Sequence, residues 1–117
     1  MVFNLIQYFQ TNGLRITCAA HAGYESCEKE GRHEPDLKAI STNELISIGE
    51  AKTCQDLSST VTKEQLRDYA TRVMKGGKSD GQPVQFYLLV SKDCVGDAWK
   101  VLRELGLDAR QNVHVLS

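Results

Sequence analysis

Apolar positions recur at two periods along this chain, and the changes of period mark its elements. From Val2 to Gln10, Phe3, Leu5, Ile6 and Phe9 fit an amphipathic first helix, stopped by Asn12-Gly13. Leu14 to Ala20 predicts a first strand. Gly23 to His33 is polar and glycine-flanked, the one long loop, of a kind that is commonly functional or mobile. Two strands follow, Pro35 to Ser41 and Leu45 to Thr53, separated by Thr42-Asn43-Glu44. Thr60 to Lys75 predicts a helix with Leu66, Tyr69, Ala70 and Val73 on one stripe, and Gly76 to Gly81 a flexible turn. Val84 to Val90 is a nearly continuous apolar run, as a centrally buried strand requires. Asp93 to Leu105 is a last helix closed by Gly106, and Val113 to Leu116 a short final strand. The order αβββαβ, then αβ, predicts a mixed three-layer α/β arrangement, a single domain over residues 1–117 without repeats or linker.

The strand at Leu45 to Thr53 organises the rest. Side chains alternate along a strand, so Ile46, Ile48, Glu50 and Lys52 share one face, which begins as core and ends as a carboxylate beside an ammonium. Leu45, Ser47, Gly49 and Ala51 line the other face, small enough past Leu45 for a helix to approach closely. A three-residue loop with Asn43 or Glu44 in the left-handed conformation pairs Ser41 with Leu45 and sets Asp36 opposite Glu50, on the same face. Two carboxylates that close repel, and keeping both ionised needs a cation between them. A two-residue loop would instead set Asp36 opposite Gly49, pointing away.

Pro35-Asp36, thirteen intervening residues and Glu50-Ala51-Lys52 on a hydrophobic strand resemble the PD-(D/E)XK nuclease superfamily of restriction enzymes, junction resolvases and recombination exonucleases. Downstream, Gln65-Leu66-Arg67-Asp68-Tyr69 is similar to the QLxxY helix motif of the exonuclease branch. The resemblance spans roughly Pro35 to Val90, and it implies a restriction-endonuclease-like αβββαβ core with an added C-terminal helix and strand. It implies a Mg²⁺- or Mn²⁺-dependent hydrolase of DNA phosphodiester bonds. Asp36, Glu50 and the Ala51 carbonyl would be the metal ligands, Lys52 would stand near the attacking water, Gln65 would position Lys52, and Tyr69 would face the substrate.

The chemistry has a reason to need such residues. Cleaving a phosphodiester requires hydroxide near pH 7 and charge compensation at phosphorus, and a divalent ion supplies both. Magnesium takes oxygen ligands, usually one or two carboxylates with waters completing the shell. A cation at Lys52 orients the nucleophile or stabilises the developing charge. The cations expected on phosphates are Lys38, Lys63, Arg67, Arg72, Lys75 and Lys78. Simpler roles stand beside these. Glu50 and Lys52 would make a surface ion pair worth about 0–1 kcal/mol, and Thr62-Lys63-Glu64-Gln65 would be a capping box with Gln65 bonded back to Thr62. Tyr69 would be core, Trp99 packing for the last helix, and His33 and Glu34 neighbours of the site or solvated loop.

Charge and cysteines set the outer bounds. The chain has 117 residues and a net charge of −1, so no global basic field announces nucleic acid, and any DNA contact needs a local groove. No run approaches a membrane span and the first ten residues lack a signal-peptide pattern, which leads us to expect a cytoplasmic protein without membrane contact. Cys18, Cys27, Cys54 and Cys94 are scattered, which predicts reduced thiols and no iron–sulfur cluster. The first helix offers Gln7 and Gln10 where many resolvase-like proteins carry a metal-binding glutamate, so a third carboxylate would come from Glu25 or Glu28, or be absent. A domain this small would grip DNA with help from a homodimer or partner subunit, the final apolar strand being the candidate edge. Two other readings remain open: a non-catalytic binding or assembly subunit of the same fold, and a zinc-stabilised interaction module on Cys18, His21, Cys27 and His33.

Overall fold

The first helix, α1 (Val2–Thr11), buries Leu5, Ile6 and Phe9 on one stripe. It ends where Asn12 donates its side-chain amide to the Tyr8 carbonyl at 2.7 Å and Gly13 turns the chain at φ +79°. The computed structural model describes residues 1–117, with strands β1 (Arg15–Ala19), β2 (Leu37–Ile40), β3 (Ile46–Ala51), β4 (Gln85–Leu89) and β5 (Val113–Leu116). They form one sheet in chain order. The β1–β2 and β2–β3 pairs are antiparallel, whereas β3–β4 and β4–β5 are parallel. Each parallel pair needs a crossover, supplied by α2 (Thr60–Ala70) and α3 (Val95–Glu104).

The alternation along the strands sorts the layers. Leu37 and Ala39 pack with Leu5, Ile6 and Phe9 of α1 on one face of the sheet. Ile48, Phe86 and Leu88 pack on the other face with Leu66, Tyr69 and Ala70 of α2 and Ala98, Val101 and Leu102 of α3. Helix, sheet and helix pair make the three layers of a compact α/β domain, as the sequence pattern predicts. Gly49 is where α1 comes closest: a Cβ there would lie 3.3 Å from Leu5, Phe9 and Leu37. The small residues on that face of β3 have this as their reason.

The hairpin takes the three-residue loop. Ile40 pairs with Ile46 and Leu37 with Gly49, the Ser41 amide donates to the Leu45 carbonyl at 3.0 Å, and Glu44 sits at φ +63°. The two-residue alternative is excluded, and Asp36 stands opposite Glu50.

Three expectations are corrected. The helix predicted over Thr60 to Lys75 ends at Ala70, and Val73 is exposed rather than on the buried stripe. Residues 72–74 leave the helix because they find other backbone partners: Val84 N–H donates to the Arg72 carbonyl, Met74 N–H to Gln82 and Gly81 N–H to Met74. Lys75 and Lys78 therefore sit on an exposed turn. The same helix starts three residues earlier than a Thr62 cap requires. Ser59 is its N-cap, accepting from the Thr62 amide at 3.1 Å, so Gln65 is free of the capping role. Finally, the cysteines are paired, not reduced. Cys18 bonds Cys27 with Cα atoms 5.0 Å apart, and Cys54 bonds Cys94 with Cα atoms 5.7 Å apart. Sequence spacing cannot reveal such pairs, since the chain brings Cys54 and Cys94 together only by laying α3 beside the segment that leaves β3. No helix is long and apolar enough to cross a membrane.

Candidate active site

Asp36 immediately precedes β2, and Glu50 is the penultimate residue of β3. They face each other because the hairpin register places them so, and each is locked to the other's backbone. Asp36 N–H donates to Glu50 Oε1 at 3.1 Å, and Ala51 N–H donates to Asp36 Oδ2 at 3.0 Å. Glu50 is only 1% exposed, the largest acidic side chain in the core, and its second oxygen has no hydrogen-bond partner. Burial, and then the Asp36 charge, push its carboxyl up to about 9, while Lys52 pulls in the opposite direction. The exposed ion pair considered from sequence is therefore not what forms. A carboxyl group in the core sits beside a second carboxylate and near an ammonium.

Gln65 and Tyr69 lie four residues apart on α2 and so share a helix face. Both carry a buried oxygen without a partner, Gln65 Oε1 and the Tyr69 hydroxyl. Tyr69 is pushed well above its ordinary pKa by burial, with Glu50 and Asp36 the next contributors, which sets its hydroxyl in the field of both carboxylates. Its side chain is fully buried, with its ring 5.9 Å from that of Phe86. Tyr69 thus has no surface for a DNA strand to touch, a correction to the substrate-facing role. The resemblance gave the position, but Phe86 and the α2 packing decided the exposure.

Fitness for a divalent cation can be judged from these contacts. A buried polar atom without a partner costs about 1–3 kcal/mol, and a buried charge more. Glu50 Oε2 beside Asp36 is an all-oxygen arrangement short of positive charge, the donor set that Mg²⁺ or Mn²⁺ takes. The residues fit. No third His, Cys, Asp or Glu side chain is clustered with them. The zinc alternative loses two of its four donors, because Cys18 and Cys27 are bonded to each other.

An ion-pair lattice that sequence reasoning missed surrounds the site. Glu30 takes the Lys38 ammonium and lies 3.5 Å from Arg72, while Arg32 reaches Glu64 at 3.1 Å and Asp68 at 3.4 Å. His33 lies 3.4 Å from Glu64. The long loop, of a kind that is commonly functional or mobile, lies along α2 through these ion pairs, with Gly31 at φ +71° bringing its backbone against Asp68 and Arg72. Lys38 and Arg72 are consequently engaged with Glu30 rather than presented to solvent. Lys63 is partly exposed, and Arg67, Lys75 and Lys78 are exposed. Asn112 was also missed: it is buried and donates to the Ala70 and Val84 carbonyls, both at 2.9 Å, tying the end of α2 to the start of β4.

A hollow of about 220 Å³ lies on the Glu50 face one strand period back, with Ile46, Ile48, Glu30 and Arg72 in its walls. The widest one, about 370 Å³, lies between α1 and Leu116–Ser117, and none of Asp36, Glu50 and Lys52 lines it. No protein-family model matches the chain, and neither a curated protein nor a solved structure gives a significant match.

Proposed function

We propose that this domain is a metal-dependent nuclease that hydrolyses phosphodiester bonds in DNA. One observation carries the reading: Asp36 and Glu50 are brought together at the ends of adjacent strands, with a buried Glu50 oxygen left without a partner. The order of Pro35-Asp36, Glu50-Ala51-Lys52 and Gln65 to Tyr69 supports it through its resemblance to PD-(D/E)XK enzymes.

In this reading Asp36, Glu50 and the Ala51 carbonyl hold Mg²⁺ or Mn²⁺. The bound ion supplies a water acidic enough to ionise near neutrality and polarises the phosphoryl oxygen. The backbone contacts of Asp36 and Glu50 fix the direction of both carboxylates before any ligand arrives. Lys52, half-buried beside them, orients the attacking water or offsets charge on the phosphate. Gln65, free of capping and with its Oε1 unpartnered, would be the group that positions Lys52, and the unpartnered Tyr69 hydroxyl would do the same for the carboxylates from within the core. Lys63, Arg67, Lys75 and Lys78 contact phosphates along the backbone. The β5 edge is where a second copy or partner subunit extends the grip. A cytoplasmic location belongs to the same proposal, and the two disulfides set a condition on it. Reducing cytosols keep such pairs open, the interiors of hyperthermophiles being the known exception.

A non-catalytic subunit of the same fold is the second reading, favoured by the widest hollow having neither Asp36 nor Glu50 in its lining. Calorimetric titration of Mn²⁺ at low salt into the native protein, Asp36→Ala and Glu50→Ala separates the two. Binding by the native chain, lost in both variants, supports the nuclease, and Lys52→Ala should then abolish cleavage while keeping the ion. No binding, or equal binding by all three proteins, overturns it.

A further inference from the structure

Next to the loop that bonds the Asp36 backbone stands a group of rings that the hydrolytic reading does not use. Phe3 is 51% exposed and Tyr24 37% exposed, and both lie against His21, itself exposed. The Phe3 and His21 ring centroids are 5.7 Å apart and those of His21 and Tyr24 6.5 Å apart, with interplanar angles of 32° and 46°. Phe3 comes from the first turn of α1, and the other two from the loop after β1. Three rings from two separate elements, in a row and open to solvent, form no part of either apolar core cluster.

The row is held in place. The Cys18–Cys27 disulfide closes the loop that carries His21 and Tyr24. Inside it, Ala19 N–H donates to the Glu25 carbonyl at 2.9 Å and Tyr24 N–H to the His21 carbonyl at 3.2 Å. The loop is also anchored to the site, because Ala20 N–H donates to the Asp36 carbonyl at 2.8 Å. His21 is thus one residue from a direct hydrogen bond to a proposed metal ligand.

We propose that Phe3, His21 and Tyr24 form a stacking platform for unpaired nucleic-acid bases, feeding single-stranded DNA to the Asp36–Glu50 site. The choice of a nucleic acid as ligand rests on the nuclease reading. Every base offers a flat π-face to an aromatic ring, and such stacking tolerates any sequence. Holding the rings in advance lowers the ordering cost of capture. In a duplex the base faces are already stacked on one another, so an unpaired strand is the substrate that this surface suits. A frayed end or a flap supplies it.

The test is fluorescence anisotropy of a labelled oligo-dT in excess chelator, with a blunt duplex as control. Phe3→Ala, Tyr24→Ala and the bulk-retaining Phe3→Leu and Tyr24→Leu are compared with the native chain. Tighter binding of oligo-dT than duplex, weakened about 5- to 100-fold by each loss of a ring, is expected. Mn²⁺ titration of the same variants should match the native protein, since no carboxylate is touched. A native protein that fails to bind oligo-dT, or leucine variants that bind it equally well, overturns the platform and leaves the rings as a contact for another protein. Binding to oligo-dT by a chain that takes no Mn²⁺ sinks the nuclease reading and keeps the platform.

Discussion

Replacing Glu50 with glutamine isolates the electrostatic cost of the site. Glutamine keeps the shape and an oxygen to accept the Asp36 amide, but carries no titrating proton. Folded, the Glu50 carboxyl titrates at about 9, against 4.5 as its ordinary value, because burial and then Asp36 disfavour the anion. The folded pKa lies above the unfolded one, so folding favours the protonated form. Its contribution to stability is therefore fully present below about pH 4.5 and is lost as pH rises toward 9. At about 1.4 kcal/mol per pH unit, roughly 3 kcal/mol is gone by pH 7 and roughly 6 by pH 9. Against a typical folding free energy of about 5–15 kcal/mol, that loss is large. Urea unfolding followed by Trp99 fluorescence, in chelator at pH 5, 7 and 8.5, measures it. Groups remote from the site cancel between the two proteins, so the difference between the two curves reports Glu50 together with the charges it faces, Asp36 and Lys52. Metal-free Glu50→Gln should be the more stable protein at pH 7, by up to about 3 kcal/mol, with the gap widening at pH 8.5. Adding Mn²⁺ at pH 7 should stabilise the native protein and leave Glu50→Gln unmoved. Parallel pH curves, or a variant less stable than native at pH 7 in chelator, would refute the reasoning.

Two further outcomes follow from the packing. Gly49→Val should cost about 1–3 kcal/mol in chemical denaturation, because its Cβ already meets Leu5, Phe9 and Leu37 at 3.3 Å and two more carbons overpack the α1 interface; an unchanged midpoint would show that α1 rides higher over β3. Cys54→Ser removes a bridge across a sequence separation of 40 and should lower stability by up to about 4 kcal/mol. Unfolding curves for the variant that overlay the oxidised native protein would show that this bridge does not form in solution.

Much of the site was legible because it depends on local rules. Asp36 meets Glu50 through a loop of three residues and a period of two; the period is readable from Pro35 to Lys52, and the loop is the one of two local alternatives that the structure takes. The departures concern groups whose partners are remote. Lys38 meets Glu30 and Arg32 meets Asp68 only because the long loop folds back along α2. Tyr69 lost its expected surface because Phe86, seventeen positions on, packs beside its ring.

By itself the sequence determined the element order and the strand faces, and narrowed the hairpin to two registers, one of which pairs the two carboxylates at a strand end. Periodicity and turn chemistry act over a few residues, so they survive without the fold. The tertiary structure alone decided the burial that raises Glu50, the early end of α2, both disulfides and the row of Phe3, His21 and Tyr24. Each of these depends on bringing remote segments within a few ångströms, and only three-dimensional packing sets that distance.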